Sequence, residues 1–462
     1  MTAFSASVLR ASLLFTLLSI NKIFYTEVKT INILLLTGSI LILINPFLLV
    51  DIGFQYSFMT SFGLIYASTT LKKHKIIGTS LVAFLISLPI TINNFYNFNI
   101  LSIIINIIFV PLISTIIYPL CLMTLLIKPL EPLTGLVIKV LEFINSFLSN
   151  ISIFRIICPP LSVILILIYY IIFIALVKKH LLKTVIILSI LIFLNIYKVS
   201  LNSNYYVDFL DVKQGDTALI RLPKRKVILI DTGGEVMRKK DAWQRRKEYK
   251  LADNTITYLY SLGVKSISYL ILTHGDYDHM GESINLVNNF KVENVIFNCG
   301  PYNDLEKELI KVLDKKKIPY YSCIKELNID KNKLYFLQTK EYDNENDNSN
   351  VIYTELNGYK FMFMGDASTT TEKEILSKYN LSNIDVLKVG HHGSKTSSGK
   401  EFITEVNPKY SIISVGKNNR YGHPNKEVLE NLNNSKIYRT DQDGSIMFKI
   451  KNNKLRIETC SP

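Results

Sequence analysis

The chain has 462 residues, 48% of them hydrophobic, and a formal charge of +14, a length that accommodates two or three domains. The charge divides unevenly, 13 Lys and Arg against 4 Asp and Glu before Ser200 and 39 against 34 from there on, so most of the positive excess reads as membrane topology rather than as a ligand surface. Five cysteines without a CxxC pair exclude a zinc ribbon and a thioredoxin-type redox centre.

Nearly all of the apolar excess lies before about residue 200. Candidate membrane spans are Ser5–Phe24, Ile31–Val50, Phe54–Leu71, Ile76–Ile92, Ile100–Leu126, Leu161–Val177 and Leu181–Tyr197, several of them close to the roughly 20 apolar residues that cross a bilayer. Leu133–Phe154 is ambiguous. With Lys139 and Glu142 among apolar residues, it suits an interfacial amphipathic helix, a re-entrant segment or a span with a polar face. Basic residues gather in the loops Lys22 to Lys29, Lys72-Lys73-His74-Lys75 and Lys178 to Lys183, which the positive-inside rule assigns to the cytoplasm. Alternation then puts both termini outside, provided that Leu133–Phe154 crosses.

A first span that opens almost at Met1, with its N-terminus facing outward, reads as the product of a truncated gene. Arg10, Asn45, Gln55, Asn106 and the prolines Pro46, Pro89, Pro111 and Pro119 interrupt the apolar runs; they suit a polar interior or passage, or equally the kinks and polar contacts of packed helices.

From residue 201 to 462 the pattern changes to short β-branched runs, charged helical stretches and Gly/Asp turns, enough for a separate water-soluble core. The runs Tyr205–Leu210 and Leu229-Ile-Asp231-Thr-Gly-Gly234 are strands that deliver a carboxylate to a turn, as is Asp211 to Asp216 after the first of them. An Asp-Gly turn of this kind is by itself ordinary hairpin punctuation. Cys299 and Cys323 are able to pair if this part faces an oxidising compartment.

The decisive run is Ser268-Tyr-Leu-Ile-Leu-Thr-His274-Gly-Asp276-Tyr-Asp278-His279, in which an apolar strand leads into four metal-capable side chains within six residues. Imidazoles and carboxylates spaced this way let one turn serve two adjacent cations, His274 and Asp276 on one, Asp278 and His279 on the other. Without a cation such a cluster would repel or go unsatisfied. Later strand ends supply the remaining groups: Phe361-Met-Phe-Met-Gly-Asp366 offers a carboxylate to bridge the cations, and Gly390-His391-His392-Gly-Ser394 offers one of two imidazoles to complete a shell. His423, in Tyr421-Gly-His-Pro424, is placed to touch a substrate phosphate.

These residues resemble the metallo-β-lactamase superfamily, whose run His-x-His-x-Asp-His stands here as His274-x-Asp276-x-Asp278-His279. Together with Asp211–Asp216, Asp231-Thr-Gly-Gly, Asn346–Asn350, Gly365-Asp366, His391-His392-Gly-Ser and Tyr421-Gly-His-Pro, they are similar to the C-terminal domain of the ComEC family of DNA-internalisation competence proteins. Ser5 to Ala11, Asn45 to Ser57 and Asn106 to Pro111 resemble that family's polytopic domain. The resemblance implies a polytopic α-helical membrane domain, here a partial channel domain over 1–200, followed by an α/β metallo-β-lactamase-like αββα sandwich over 201–462. It also implies a multi-pass cell-membrane location with the sandwich extracellular, and uptake of external DNA in natural transformation, one strand passing inward and the other degraded. Implied partners are duplex DNA and its single-stranded product, the lipid bilayer, a DNA receptor and a cytoplasmic translocation ATPase; the missing first helices fit either a pseudogene remnant or a chain that needs a separately encoded N-terminal half. Three departures stand out: the external β-barrel and earlier helices expected before Ser5 are absent, Lys213 replaces a glycine, and Glu282 replaces another.

An active site of this kind would hold two divalent cations about 3.5–4 Å apart for in-line attack on a phosphodiester, with Asp278, Asp366 and His423 as catalytic groups. Asp276 in place of an imidazole enriches the site in oxygen, which favours manganese over zinc. Two other readings compete. One is a membrane-anchored metallo-hydrolase of a lipid or cell-wall phosphodiester. The other is a non-catalytic DNA-binding remnant that grips phosphates through Lys224-Arg225-Lys226 and the Arg238 to Lys250 cluster around Trp243.

Overall fold

The computed structural model describes residues 6–71, 75–149, 154–234, 251–337 and 340–461. Lys72, Lys73 and His74 of one basic loop, and the Arg238 to Lys250 cluster, lie outside the described residues. The chain forms two compact units, Met1–Val199 with Tyr260–Gly263, and Ser200–Leu259 with Val264–Pro462.

The first unit is helical: α1 (Ala6–Ile23), α2 (Thr30–Ile44), α3 (Ile52–Tyr66), α4 (Ser68–Leu71), α5 (Lys75–Phe95), α6 (Leu101–Leu112), α7 (Tyr118–Leu126), α8 (Glu131–Ser149), α9 (Val163–Leu176) and α10 (Leu181–Ser200). Among the described residues, three stretches are long and apolar enough to cross a membrane, Ile76–Phe95, Leu101–Leu126 and Leu181–Ser200, while α2 and α9 are apolar but shorter. Two expected spans differ from what forms. The Ile31–Val50 run stops helical winding at Ile44, because Asn45 turns extended, accepts the Phe47 N–H on its side chain and leads into a 3-10 turn at Pro46. The Phe54–Leu71 run breaks at Ala67 into α3 and α4.

Of the ambiguous Leu133–Phe154 stretch, the part up to Ser149 lies in α8; a short strand, β2 (Arg155–Ile157), begins after the stretch and pairs antiparallel with β1 (Asn97–Asn99). A π-helical segment, Ile113–Ile117, joins α6 to α7 just after Pro111; Pro111 has no N–H to donate, and its carbonyl takes up the Ser114 and Thr115 hydroxyls. Ile86, Ile92, Tyr169, Phe173 and Leu188 form the buried centre of this unit, with the Tyr169 hydroxyl donating to the Leu85 carbonyl at 2.7 Å. A cavity of about 690 Å³ is lined in part by Thr60, Ser80, Ser87, Thr91, Asn99 and Asn106, so part of the polar content of the apolar runs faces a common space.

The second unit contains β3 (Tyr205–Phe209), β4 (Ala218–Arg221), β5 (Val227–Ile230), β6 (Tyr269–Ile271), β7 (Val295–Phe297), β8 (Tyr320–Ser322), β9 (Glu326–Ile329), β10 (Asn332–Phe336), β11 (Ile352–Leu356), β12 (Tyr359–Phe363), β13 (Val386–Lys388), β14 (Tyr410–Ile413), β15 (Lys436–Arg439), β16 (Ser445–Lys451) and β17 (Lys454–Cys460). They form two mixed sheets, ordered β17-β16-β3-β4-β5-β6-β7-β8 and β15-β14-β13-β12-β11-β10-β9. Strand alternation explains the layering. In β12, Phe361 and Phe363 enter the core shared by the two sheets, whereas Met362 and the following Met364 pack with Ile375, Phe402, Val406 and Val428 from three covering helices. Phe209, Phe363, Phe361 and Phe448 contact one another in the shared core, each worth roughly 1.5–3 kcal/mol on burial. Two facing sheets with helices packed on the outside agree with the αββα sandwich that the resemblance implies.

Strand direction positions the site. β5 and β6 run parallel in one sheet, and β12, β13 and β14 run parallel in the other. Their C-terminal ends lead to Asp231, His274, Asp366, His391-His392 and Ser414. Cys299 and Cys323 form a disulfide with Cα atoms 4.4 Å apart.

Candidate metal centre

β6 ends at Ile271, and the chain then turns through His274 into a short helix, Tyr277–Met280, of which Asp276 is the N-cap. His274 and His279 are fully buried, and their rings lie 4.1 Å apart. Glycine is required within this turn: a Cβ on Gly275 would lie 2.0 Å from Asn303 Nδ2, because Asn303 donates to the Gly275 carbonyl while Glu345 accepts its N–H. The turn is therefore held through the two peptide groups that flank the Gly275 Cα.

The groups expected from separate strand ends converge. Asp366 Oδ1 is 3.2 Å from His279 Nε2, and its Oδ2 lies 4.0 Å from His274 Nε2, 3.6 Å from His391 Nε2 and 3.9 Å from His392 Nε2. Asp276 Oδ2 is 3.5 Å from His274 Nε2, and Asp278 Oδ2 is 3.2 Å from His392 Nε2. The paired histidines differ. His392 is buried and bonds through Nδ1 to the Ser414 carbonyl, whereas His391 is partly exposed and pairs with the Thr396 hydroxyl. His423 stands further out, its ring 6.0 Å from that of His391.

The donor set fits cations. Among the described residues, five buried side-chain atoms lack a hydrogen-bond partner, and four of them belong to this cluster: Asp216 Oδ1, His274 Nε2, His279 Nε2 and Asp366 Oδ1. Leaving a buried polar atom unmet costs about 1–3 kcal/mol, so four at one place call for a shared partner. Ligand atoms of His274, His279 and Asp366, and of Asp278, His279 and His392, lie within 4.8 Å of one another in each set. Asp366, whose two oxygens face His279 on one side and His274 and His392 on the other, is the group able to sit between two adjacent ions.

Charge in the centre is strongly perturbed. Burial alone would raise Asp366, but His279 and His392 outweigh it and hold the carboxyl well below its usual range. Burial likewise works against His392, yet Asp366 and Asp216 push it up to about 10. His279 is raised by Asp366 and Asp231 in the same way, against the effect of burial. Bound cations would take over the task of neutralising these carboxylates.

Several participating residues escaped the sequence reading. Asp231 was legible only as a strand-end carboxylate; its Oδ2 meets His279 Nδ1 at 2.9 Å and the Thr273 hydroxyl at 2.7 Å, and its Oδ1 accepts the Thr273 N–H at 2.7 Å. Lys388, buried in β13, pairs with Asp216 Oδ2 at 2.7 Å. Ser349 accepts the Asp366 N–H, and Asn350 bonds Leu272 and Thr273, tying the Asn346–Asn350 stretch to the ligand turn. Lys213, the first departure from the expected glycines, adopts φ of 65°, the left-handed backbone that favours glycine. Glu282, the second, accepts the Ala252 N–H.

Residues 1–183 match the sequence profile of the family described as "Competence protein", and residues 210–417 that of the "Metallo-beta-lactamase superfamily". The chain joins a Competence domain to a metallo-beta-lactamase domain. It is homologous to ComE operon protein 3 of Bacillus subtilis, 32% identical over 483 residues that take in 98% of this chain and 62% of the relative. Competence protein ComA of Neisseria gonorrhoeae is 29% identical over 249 residues, 52% of this chain and 31% of that one. The chain thus spans about three-fifths of the first relative. Among solved structures, a diphosphatase of the PhnP family is similar at 13% identity and a TM-score of 0.31, covering 53% of this chain and 87% of its own. Unliganded yeast PDE1 is similar at 11% identity and the same score, with 52% and 97% covered. With the apolar helices, the Competence match marks a membrane protein.

Proposed function

We propose that this chain works in the uptake of external DNA, its helical unit forming part of a multi-pass channel for one strand and its metallo-beta-lactamase unit cutting DNA outside the cell. The observation that carries the reading is the union, in one chain, of a Competence domain with a His/Asp cluster in which four buried side-chain atoms lack a hydrogen-bond partner. The Cys299–Cys323 disulfide supports an external location, since such bonds persist in oxidising compartments. The substrate is duplex DNA and the product a single strand, handed on by a DNA receptor and drawn inward by a cytoplasmic ATPase.

His274, Asp276 and Asp366 would hold one divalent cation, and Asp278, His279, His392 and Asp366 the other, manganese being favoured over zinc by the oxygen-rich set. Bound cations supply Lewis acidity toward a phosphodiester and lower the pKa of water. The protein's own residues do the positioning: Asp231 fixes the His279 tautomer, Ser414 fixes His392, and Glu345 with Asn303 fixes the Gly275 peptide between two ligands. His423 at the rim contacts the substrate phosphate.

Salt dependence of DNA binding tests the substrate. Affinity of the full chain in detergent should fall steeply as salt rises, because each Lys or Arg contact to a phosphate releases condensed counterions. Charge reversal at Lys224-Arg225-Lys226 should flatten the slope if that cluster meets the backbone, while His274→Ala should suppress cutting more than binding. Hydrolysis of a small phosphodiester without salt-sensitive DNA binding would favour the lipid or cell-wall hydrolase instead.

A further inference from the structure

The loop after β14 presents a feature that the ligand cluster does not use. Tyr421 is 71% exposed, and its ring lies nearly parallel to that of His423, at 14° with centroids 5.9 Å apart. His423 is next to His391, whose Nε2 is 3.6 Å from Asp366 Oδ2. The stack thus begins one side chain away from the cluster and ends in solvent. A single exposed tyrosine needs no explanation. The backbone that carries this one is held in place: Asn419 accepts the Tyr421 and His423 N–H groups at 3.2 and 3.0 Å and donates to the His423 carbonyl at 2.6 Å, and Asn425 N–H bonds the Gly393 carbonyl beside the paired histidines. Lys417 and Arg420 are exposed on the same loop.

We propose that the Tyr421–His423 stack is a platform for one unpaired nucleobase of a DNA strand whose phosphate enters the His/Asp cluster. The proposal rests on the nuclease reading and extends it to a subsite. One face of Tyr421 stacks on His423, which leaves the other for a base, and the hydrogen bonds from Asn419 hold the backbone that carries the ring, so less freedom is lost on binding. A base inside a duplex has both faces occupied by its neighbours, so a platform of this kind selects an unpaired base at an end, a fray or a single strand. Stacking is tolerant of sequence because every base offers a π face, which suits a protein that handles DNA of any origin. Lys417 and Arg420 supply charge to the adjoining backbone.

The test uses the full chain in detergent with a chelator present, so that binding is read without cutting. The probes are fluorescent oligothymidylate and a strand of equal length and charge that lacks all bases. Tyr421→Ala should weaken oligothymidylate binding about 5–150-fold, the range for losing one base–aromatic stack, and leave affinity for the base-free strand unchanged. Tyr421→Trp should restore it, and Tyr321→Ala, a half-exposed tyrosine on β8, should change neither. Equal losses on both strands, or none on either, would overturn the platform while leaving DNA binding intact. Failure of the unaltered protein to bind either strand would overturn the DNA reading and the platform with it.

Discussion

The contact between Asp231 and His279 makes a sharp prediction through the proton it controls. Asp231 is 1% exposed and accepts three hydrogen bonds, one of them at 2.9 Å with His279 Nδ1. With the carboxylate accepting there, His279 carries its proton on Nδ1 and offers the Nε2 lone pair to a cation. Asp231→Asn preserves volume and keeps the bond from the Thr273 N–H through its oxygen in the Oδ1 position, which leaves the amide donor in the Oδ2 position, facing Nδ1 and the Thr273 hydroxyl. Two facing donors force the proton to Nε2, and the lone pair leaves the site. Asparagine also tolerates the left-handed backbone at this position, where φ is 57°, so strain is not added. Loss of such a supporting contact costs about 10–100-fold in metal affinity, or about 1.4–2.8 kcal/mol. Competition with a fluorescent chelator on the full chain in detergent reads this directly. Unchanged manganese affinity in a folded Asp231→Asn protein would refute the assignment of His279 as a ligand through Nε2.

Further outcomes follow from the same geometry. Asp366→Ala, which removes the carboxylate assigned to both cations, should abolish bound metal, whereas Glu401→Ala on a covering helix should not; equal metal content in the two would defeat the two-cation assignment. Lys388→Met should destabilise the protein by about 3–5 kcal/mol in denaturant unfolding, because it strands the buried Asp216 charge, and adding Asp216→Asn should recover much of that loss. A reporter fused after Lys198 should read as extracellular and one within Lys178–Lys183 as cytoplasmic; the reverse pattern would invert the proposed topology.

The sequence made the ligand run legible because its four side chains sit on one turn, and strand-end carboxylates such as Asp366 were legible because an apolar run stops at Gly-Asp. Its limits are physical. The partnership of Asp231 with His279 spans 48 positions and depends on β5 and β6 being parallel neighbours, which no local pattern encodes. Lys388 sits inside an apolar strand, where a lysine suggests an exposed face until its partner Asp216 is seen. The choice between His391 and His392 turns on which ring faces Asp278, a matter of loop backbone rather than residue type. In the helical unit, hydropathy found the apolar runs but not their breaks, because Asn45 and Ala67 end helices through capping and backbone turns that averaging over a span conceals.

The most direct test of the central claim is cutting of DNA by the full chain in detergent, with duplex and single-stranded oligonucleotides, across manganese, zinc and magnesium. The account predicts metal-dependent strand cleavage, strongest in manganese, that disappears in His274→Ala and Asp278→Ala. A folded protein that binds two cations per chain and DNA yet cuts neither form, or one that cuts equally well with those two side chains removed, would contradict it.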